Sequence, residues 1–254
     1  MKNALIYLFV FAAIQLGCGA SIVALWQYIT GSADITAMML VISSVVCSVV
    51  AGAVFLSARW ATVSRTYVRS RQWGVLTWCV LAAVGAIIPS VWLQEQMPEL
   101  PNLVESQFDM ILRERWGYIA VGLLAPVVEE IVFRGAILRS LLGTMRNAWA
   151  AIALSALAFA LIHANPVQMP HAFIVGLLLG WMYMRTGSIV PGVAFHWVNN
   201  SIAYVMYNLM PDPDIPLIVL FNGDNRRVLM AVAFSLCILL PSLLQLHLRM
   251  KKVS

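Results

Sequence analysis

Long runs of apolar residues, separated by short polar breaks, set the pattern of this chain. Eight runs can be delimited, at roughly 4–28, 35–58, 73–94, 117–142, 147–164, 169–186, 188–208 and 228–248. A helix needs about 20 apolar residues to cross a bilayer, and the runs are of that order. A membrane barrel would instead alternate apolar and polar residues in segments of about ten. The pattern predicts an all-α polytopic membrane protein with about eight transmembrane helices. The fifth and sixth runs are short. Pro191 and Gly192 stand near the start of the seventh, which predicts a helix that is broken or begins late. Gly176 and Gly180 give the sixth a GxxxG spacing, a sign of close helix packing. Between the third and fourth runs, Val104, Phe108, Ile111 and Leu112 recur at helical spacing among acidic residues. That stretch reads either as an amphipathic helix lying in the interface or as a simple polar loop.

Composition agrees with a membrane location. The chain has 254 residues, of which 61% are hydrophobic and 11% charged, against about 25% charged in a soluble domain. The formal net charge of +5 comes from basic loops and indicates no nucleic-acid partner. Cys18, Cys47, Cys79 and Cys237 are dispersed in apolar runs without CxxC spacing, so neither a disulfide framework nor a zinc site is expected. They read as small packing residues. The run from Ala4 to about Tyr28 is too long for a signal-peptide core, and Gln15-Leu16-Gly17-Cys18 only loosely resembles a lipoprotein cleavage site. An uncleaved first helix is expected.

The bias of Lys and Arg between loops sets the expected orientation. Arg59, Arg65, Arg69 and Arg71 follow the second helix and place that loop in the cytoplasm. Glu95, Glu99, Glu105, Asp109 and Glu114 place the loop after the third helix outside, despite Arg113 and Arg115. Arg139, Arg146, Arg185, Arg249, Lys251, Lys252 and Lys2 complete a topology with both termini in the cytoplasm. Arg226 and Arg227 are the exception on the outer side, where they either snorkel or cap the last helix. No eukaryotic targeting signal is evident, which favours a bacterial inner membrane.

The polar residues inside the membrane are concentrated in 117–208. They are Glu129, Glu130, Arg134, His163, His171, His196, Asn199 and Asn200. An ionisable side chain at bilayer depth costs roughly 2.5–3.5 kcal/mol on insertion scales, so two adjacent carboxylates call for a function or a partner. Glu130 and Arg134 are four apart on one helix face and can pair. Glu129 is rotated by about 100° and remains available to point elsewhere. His163 lies one turn after Phe159. His196 and Asn200 share a face, with Asn199 near its edge, and together form a donor pair able to stabilise an oxyanion. His171 follows Pro170 in an outer turn and is expected at the surface or interface. Two mechanisms fit one Glu and two His. One is a zinc site. The other is metal-free, with a glutamate activating water, one histidine positioning it, and a histidine–asparagine pair binding the oxyanion. The absence of HExxH and the presence of an asparagine favour the metal-free version, with no cofactor. A proton-relay transporter is a further reading, though no inverted repeat is visible.

Three motifs in order, Glu129-Glu130-x-x-x-Arg134, Phe159-x-x-x-His163 and His196-x-x-x-Asn200, resemble the CAAX protease and bacteriocin-processing (CPBP, or Abi) family. The connecting stretch from Gly176 to His196 is similar as well. The resemblance covers roughly 117–208, which it implies is a protease core with a polar cavity formed by helices four to seven. The flanking segments are 1–116, holding the N-terminal helices and the outer loop, and 209–254, holding a loop and the last helix. It implies an intramembrane glutamate endopeptidase that cuts near a membrane or lipid anchor, with a peptide or membrane-anchored protein as substrate. Glu129 matches the general base, His163 the residue that helps hold the water, and His196 and Asn200 the oxyanion pair; Glu130, Arg134, Phe159 and Asn199 match supporting positions. Some relatives act as non-proteolytic partners or regulators, so a non-catalytic role in immunity or regulation is the reading from another class. One tension is visible in the heights. At about 1.5 Å per residue, Glu129 and His196 lie a third to half of the way across, whereas His163 lies nearer the outer face.

Overall fold

The computed structural model describes residues 1–210 and 215–252. Residues 211–214 and 253–254 of the C-terminal segment, and the side chains of Arg65 and Thr66, lie outside the described residues. The described residues form helices joined by turns, with no strand among them. The chain opens with α1 (Lys2–Thr30), α2 (Ala37–Ser57), the short α3 (Arg65–Arg69) and α4 (Trp73–Glu95). In the outer stretch comes α5 (Glu105–Arg113). A continuous helical passage follows, here the motif helix. It consists of a π segment π1 (Ile119–Leu124), an α turn α6 (Ala125–Glu129), a second π segment π2 (Glu130–Leu138) and an α turn α7 (Arg139–Leu142). After it come α8 (Ala148–Ile162), α9 (Met169–Thr186), α10 (Val190–Leu209), the short α11 (Leu217–Leu220) and α12 (Asn225–Arg249).

Four helices, α1, α2, α4 and α12, are long and apolar enough to cross a membrane by length and composition. The shorter α8 is also apolar. The chain is an integral membrane protein. The seventh run is not broken: α10 simply begins at Val190 with Pro191 in its first turn, where a missing N–H costs nothing.

Hydrogen bonds and contacts sort the helix ends into two sets. At one end the Met1 amino group donates to Thr144, Arg185 donates to the His247 carbonyl, and Gly74 lies beside the Arg249 side chain. At the other end Gln94 donates to the Val167 carbonyl, the Leu103 amide to Asn165, and the Leu217 amide to Glu95. The first described residues and the end of α12 therefore share one end of the bundle.

The motif helix is its axis. Every residue of π2 from Glu130 to Leu138 is buried, and a helix buried on all sides is a core helix. Phe133 meets Phe11 of α1 and Phe159 of α8 edge to face, at centroid distances of 5.5 and 5.2 Å. A second apolar cluster, including Cys79, Leu179, Phe195 and Leu246, joins α4, α9, α10 and α12. Glycines set the close crossings. A Cβ on Gly85 of α4 would stand 2.7 Å from the Leu239 nitrogen of α12. On α9, a Cβ on Gly176 would stand 2.9 Å from Ala156 Cβ, and one on Gly180 2.8 Å from Ile152 Cγ2. The GxxxG face therefore packs against α8 as its spacing predicts.

The cysteines only partly follow expectation. Cys47 and Cys79 are buried, but Cys237 is exposed on the outer face of α12. The α12 N-terminus is capped by Asp224, which accepts from the Arg226 and Arg227 amides and pairs with the Arg227 side chain at 3.2 Å.

Candidate active site

A cavity of about 480 Å³ is lined by the motif helix, α8, α9 and α10, joined by Gln94 of α4 and by α5. Glu129, Phe159, His163, His196, Asn199 and Asn200 all face it. One expectation needs correction here. His171 is not an outer surface residue. Pro170 is the second residue of α9, so His171 falls in its first turn and lines the cavity beside His163 and His196. Of the two readings of the outer stretch, the helical one is observed, as α5. Phe108 and Leu112 of α5 form part of the cavity wall. Four contacts with α10 hold α5 there. Tyr207 donates to Asp109, Tyr204 to the Glu114 carbonyl at 3.2 Å and Asn208 to the Leu112 carbonyl at 3.1 Å, while the Arg113 guanidinium lies 5.4 Å over the Tyr207 ring.

The two adjacent glutamates have different surroundings. Glu130 is 0% exposed. Its Oε1 accepts from Arg134 at 2.7 Å and faces His196 Nδ1 at 3.3 Å. Its Oε2 has no hydrogen-bond partner and fills space over Gly192, where a Cβ would stand 2.6 Å away. Arg134, also 0% exposed, donates further to the Gly176 carbonyl at 3.2 Å and lies 4.5 Å over the Phe159 ring. Such pairing and stacking are what a buried guanidinium requires. Glu129 keeps 21% of its side chain exposed to the cavity, and its Oε2 lies 3.6 Å from His196 Nε2. The partner that Glu129 lacks within its own helix is thus supplied by α10.

Ring orientations follow from these partners. A carbonyl oxygen only accepts, so the 2.7 Å contact of His163 Nδ1 with the Phe159 carbonyl is an N–H donation, which leaves Nε2 as the free nitrogen. The same logic gives His196 Nδ1–H to Glu130 and turns Nε2 toward Glu129. Phe159 touches both rings edge to face, at centroid distances of 4.9 Å to His163 and 5.8 Å to His196. It thereby fixes the spacing of two functional candidates as well as carrying Arg134. His163 follows the last residue of the short α8, and one cavity is lined by both His163 and Glu129.

Asn200 is held by an irregularity of the motif helix. In π1 the Ala125 amide bonds the Ala120 carbonyl, five residues back. The next donor in that register would be residue 126, a proline without an N–H. The Val121 carbonyl is therefore left free, and Asn200 Nδ2 donates to it at 3.1 Å. Asn199 Nδ2 donates to Asn200 Oδ1 at 3.4 Å, so the second N–H of Asn200 remains for another acceptor. A π register is a frequent companion of functional sites.

Asn165, two residues after His163, gave no signal in the sequence. It is 0% exposed and receives the Leu103 amide while donating to Asn102 at 2.8 Å. With Ala164 in the left-handed region (φ 50°), it fastens the turn after His163 to the outer stretch. Among the described residues, no group of three His, Cys, Asp or Glu side chains is placed to hold a metal ion.

Residues 112–202 match the family model of type II CAAX prenyl endopeptidases, Rce1-like. The matched span contains all three motifs and bears out the resemblance they carry. No curated protein and no solved structure matches the chain. The family is one of proteases, and the matched residues of this CAAX-endopeptidase-like segment include Glu129, Phe159, His163, His196 and Asn200 of the cavity wall.

Proposed function

We propose that the chain is an intramembrane endopeptidase that hydrolyses a peptide bond near a membrane or lipid anchor with a glutamate-activated water. The observation that carries this reading is the Glu129 carboxylate, partly exposed in a cavity within the membrane-embedded bundle and 3.6 Å from a histidine that a second carboxylate orients. Glu129 accepts a proton from water, and His163 Nε2 holds the same water. The water oxygen bonds to the carbonyl carbon. His196, with Nδ1–H on Glu130 and a proton on Nε2, donates with Asn200 Nδ2–H to the resulting oxyanion. As the C–N bond breaks, Glu129 returns its proton to the departing amine. Glu130, Arg134, Phe159 and Asn199 act through the groups they hold. No cofactor enters the scheme, and the substrate is a peptide or membrane-anchored protein. Residues 117–208 form the protease core, in a bacterial inner membrane with both termini in the cytoplasm.

The test is cleavage of a quenched fluorescent peptide library, lipidated C-terminal peptides included, by detergent-purified protein. Wild type and Glu129→Ala are compared with and without a zinc chelator. Loss of cleavage in the variant, with no effect of chelator, is expected. Full activity in purified Glu129→Ala refutes the glutamate role. Loss with chelator moves the reading to a zinc enzyme.

A further inference from the structure

The two ends of the bundle differ in charge, and the cavity belongs to only one of them. The end shared by the first helix start and the last helix end carries ten Lys and Arg among its described residues, from Lys2 through Arg59, Arg71, Arg146 and Arg185 to Lys252, and no Asp or Glu. The opposite end carries seven described carboxylates, from Asp34 through Glu99 and Glu114 to Asp224, against Arg113, Arg115, Arg226 and Arg227. A bias this complete in short loops retains the basic end in the cytoplasm. The cavity reaches the other end. Its rim is formed by Gln94 at the end of α4, Phe108 of α5, Gln168 and His171 at the start of α9, and Tyr207 at the end of α10. A second hollow of about 610 Å³, sharing Phe108, Leu112 and Tyr207 with the first and bordered by Glu105 and Asp109, continues it outward. No residue of the basic end lines either space.

We propose that the cavity opens on the face of the membrane opposite the cytoplasm, and that its substrate is an exported polypeptide segment lying at that outer leaflet. The substrate side rests on the protease reading above; the direction of opening does not. A peptide synthesised and kept in the cytoplasm would have to pass the buried Glu130–Arg134 pair to reach Glu129 from the basic end, whose residues line neither hollow. An exported chain, or the outer juxtamembrane segment of an anchored protein, enters past Phe108 and His171 without crossing the core.

Two measurements on the full chain in a bacterial inner membrane test this. In the first, Glu99→Cys and Lys251→Cys, both at exposed positions, are treated in intact cells with a membrane-impermeant maleimide and compared with wild type as background. Labelling of Glu99→Cys in intact cells, and of Lys251→Cys only after permeabilisation, is expected; the reverse pattern overturns the orientation. In the second, a membrane-impermeant quenched peptide identified with purified protein is added to intact cells. Cleavage at least about tenfold above that of Glu129→Ala cells is expected, and cleavage only after permeabilisation overturns the outer substrate. A protein that cleaves nothing in either setting overturns the protease reading and the substrate side with it, while the labelling still decides which face the cavity opens to.

Discussion

Arg134 is the residue whose loss the structure predicts most sharply. It is fully buried, holds Glu130 at 2.7 Å and the Gly176 carbonyl at 3.2 Å, and stacks 4.5 Å over Phe159. Arg134→Met keeps most of the volume and removes all three interactions. Its main cost is the carboxylate left behind, because Glu130 then has no cation of fixed charge beside it. Breaking a buried pair by removing one partner costs about 3–5 kcal/mol. At roughly 2–4 °C per kcal/mol for a chain of this size, the apparent Tm should fall by about 6–20 °C. The assay is thermal unfolding of purified protein in one detergent. The double variant Glu130→Met with Arg134→Met separates the pair from the rest, because replacing both partners by apolar groups is often near neutral. It should regain most of the loss while remaining inactive under the proposed mechanism. If the double variant is as unstable as Arg134→Met, the uncompensated carboxylate is not the cause, and the reasoning fails.

The α8–α9 crossing gives a graded pair. Gly176→Ala meets the Ala156 backbone, with Cα at 3.0 Å, and should cost about 1–3 kcal/mol, whereas Gly180→Ala meets mainly the Ile152 side chain and should cost less in the same unfolding assay. Equal losses would refute the ranking. Gly192→Ala drives a methyl into Glu130 Oε2 and should lower kcat about 10- to 100-fold, by analogy with the loss when the partner orienting a metal-bound histidine is removed, with KM little changed. Glu130→Asp, which withdraws the carboxylate, should restore part of that loss in the double variant; a double variant no better than Gly192→Ala removes the seat argument. Asn147 caps α8 by accepting from the Trp149 and Ala150 amides at 2.9 and 3.2 Å, so Asn147→Ala should cost about 1 kcal/mol of stability and leave cleavage unchanged.

The sequence showed the helices well because a membrane-crossing helix needs a long apolar run, and such runs are visible residue by residue. Their starts are local as well: Thr36, Asn147 and Asp224 each cap a helix with their own side chain. What stayed hidden depended on partners distant in the chain. His171 carried a usable signal, since Pro170 before it marks a first helical turn, but its cavity-facing position depends on how α9 meets α4 and α8. The amphipathic spacing of Phe108 and Leu112 allowed a helix as readily as a loop and could not say which surface it would cover. Asn165 offered nothing, because its bonds to Asn102 and Leu103 span more than sixty residues.

Glu129 and Glu130 show most clearly where spacing stops being informative. Both begin as adjacent carboxylates in an apolar run, and a regular α-helix would simply turn them about 100° apart. The chain changes register between them: α6 ends at Glu129 and π2 starts at Glu130. Below that junction every residue through Leu138 is buried, and Glu130 is committed to Arg134, His196 and the space over Gly192. Above it, Pro126 frees the Val121 carbonyl, which draws Asn200 and with it α10 toward the motif helix. His196 is brought between the two carboxylates by the same approach, one ring nitrogen to each. The first glutamate keeps cavity exposure because the second takes the internal charge, and that division of tasks is the physical reason a membrane-embedded helix carries two carboxylates in succession.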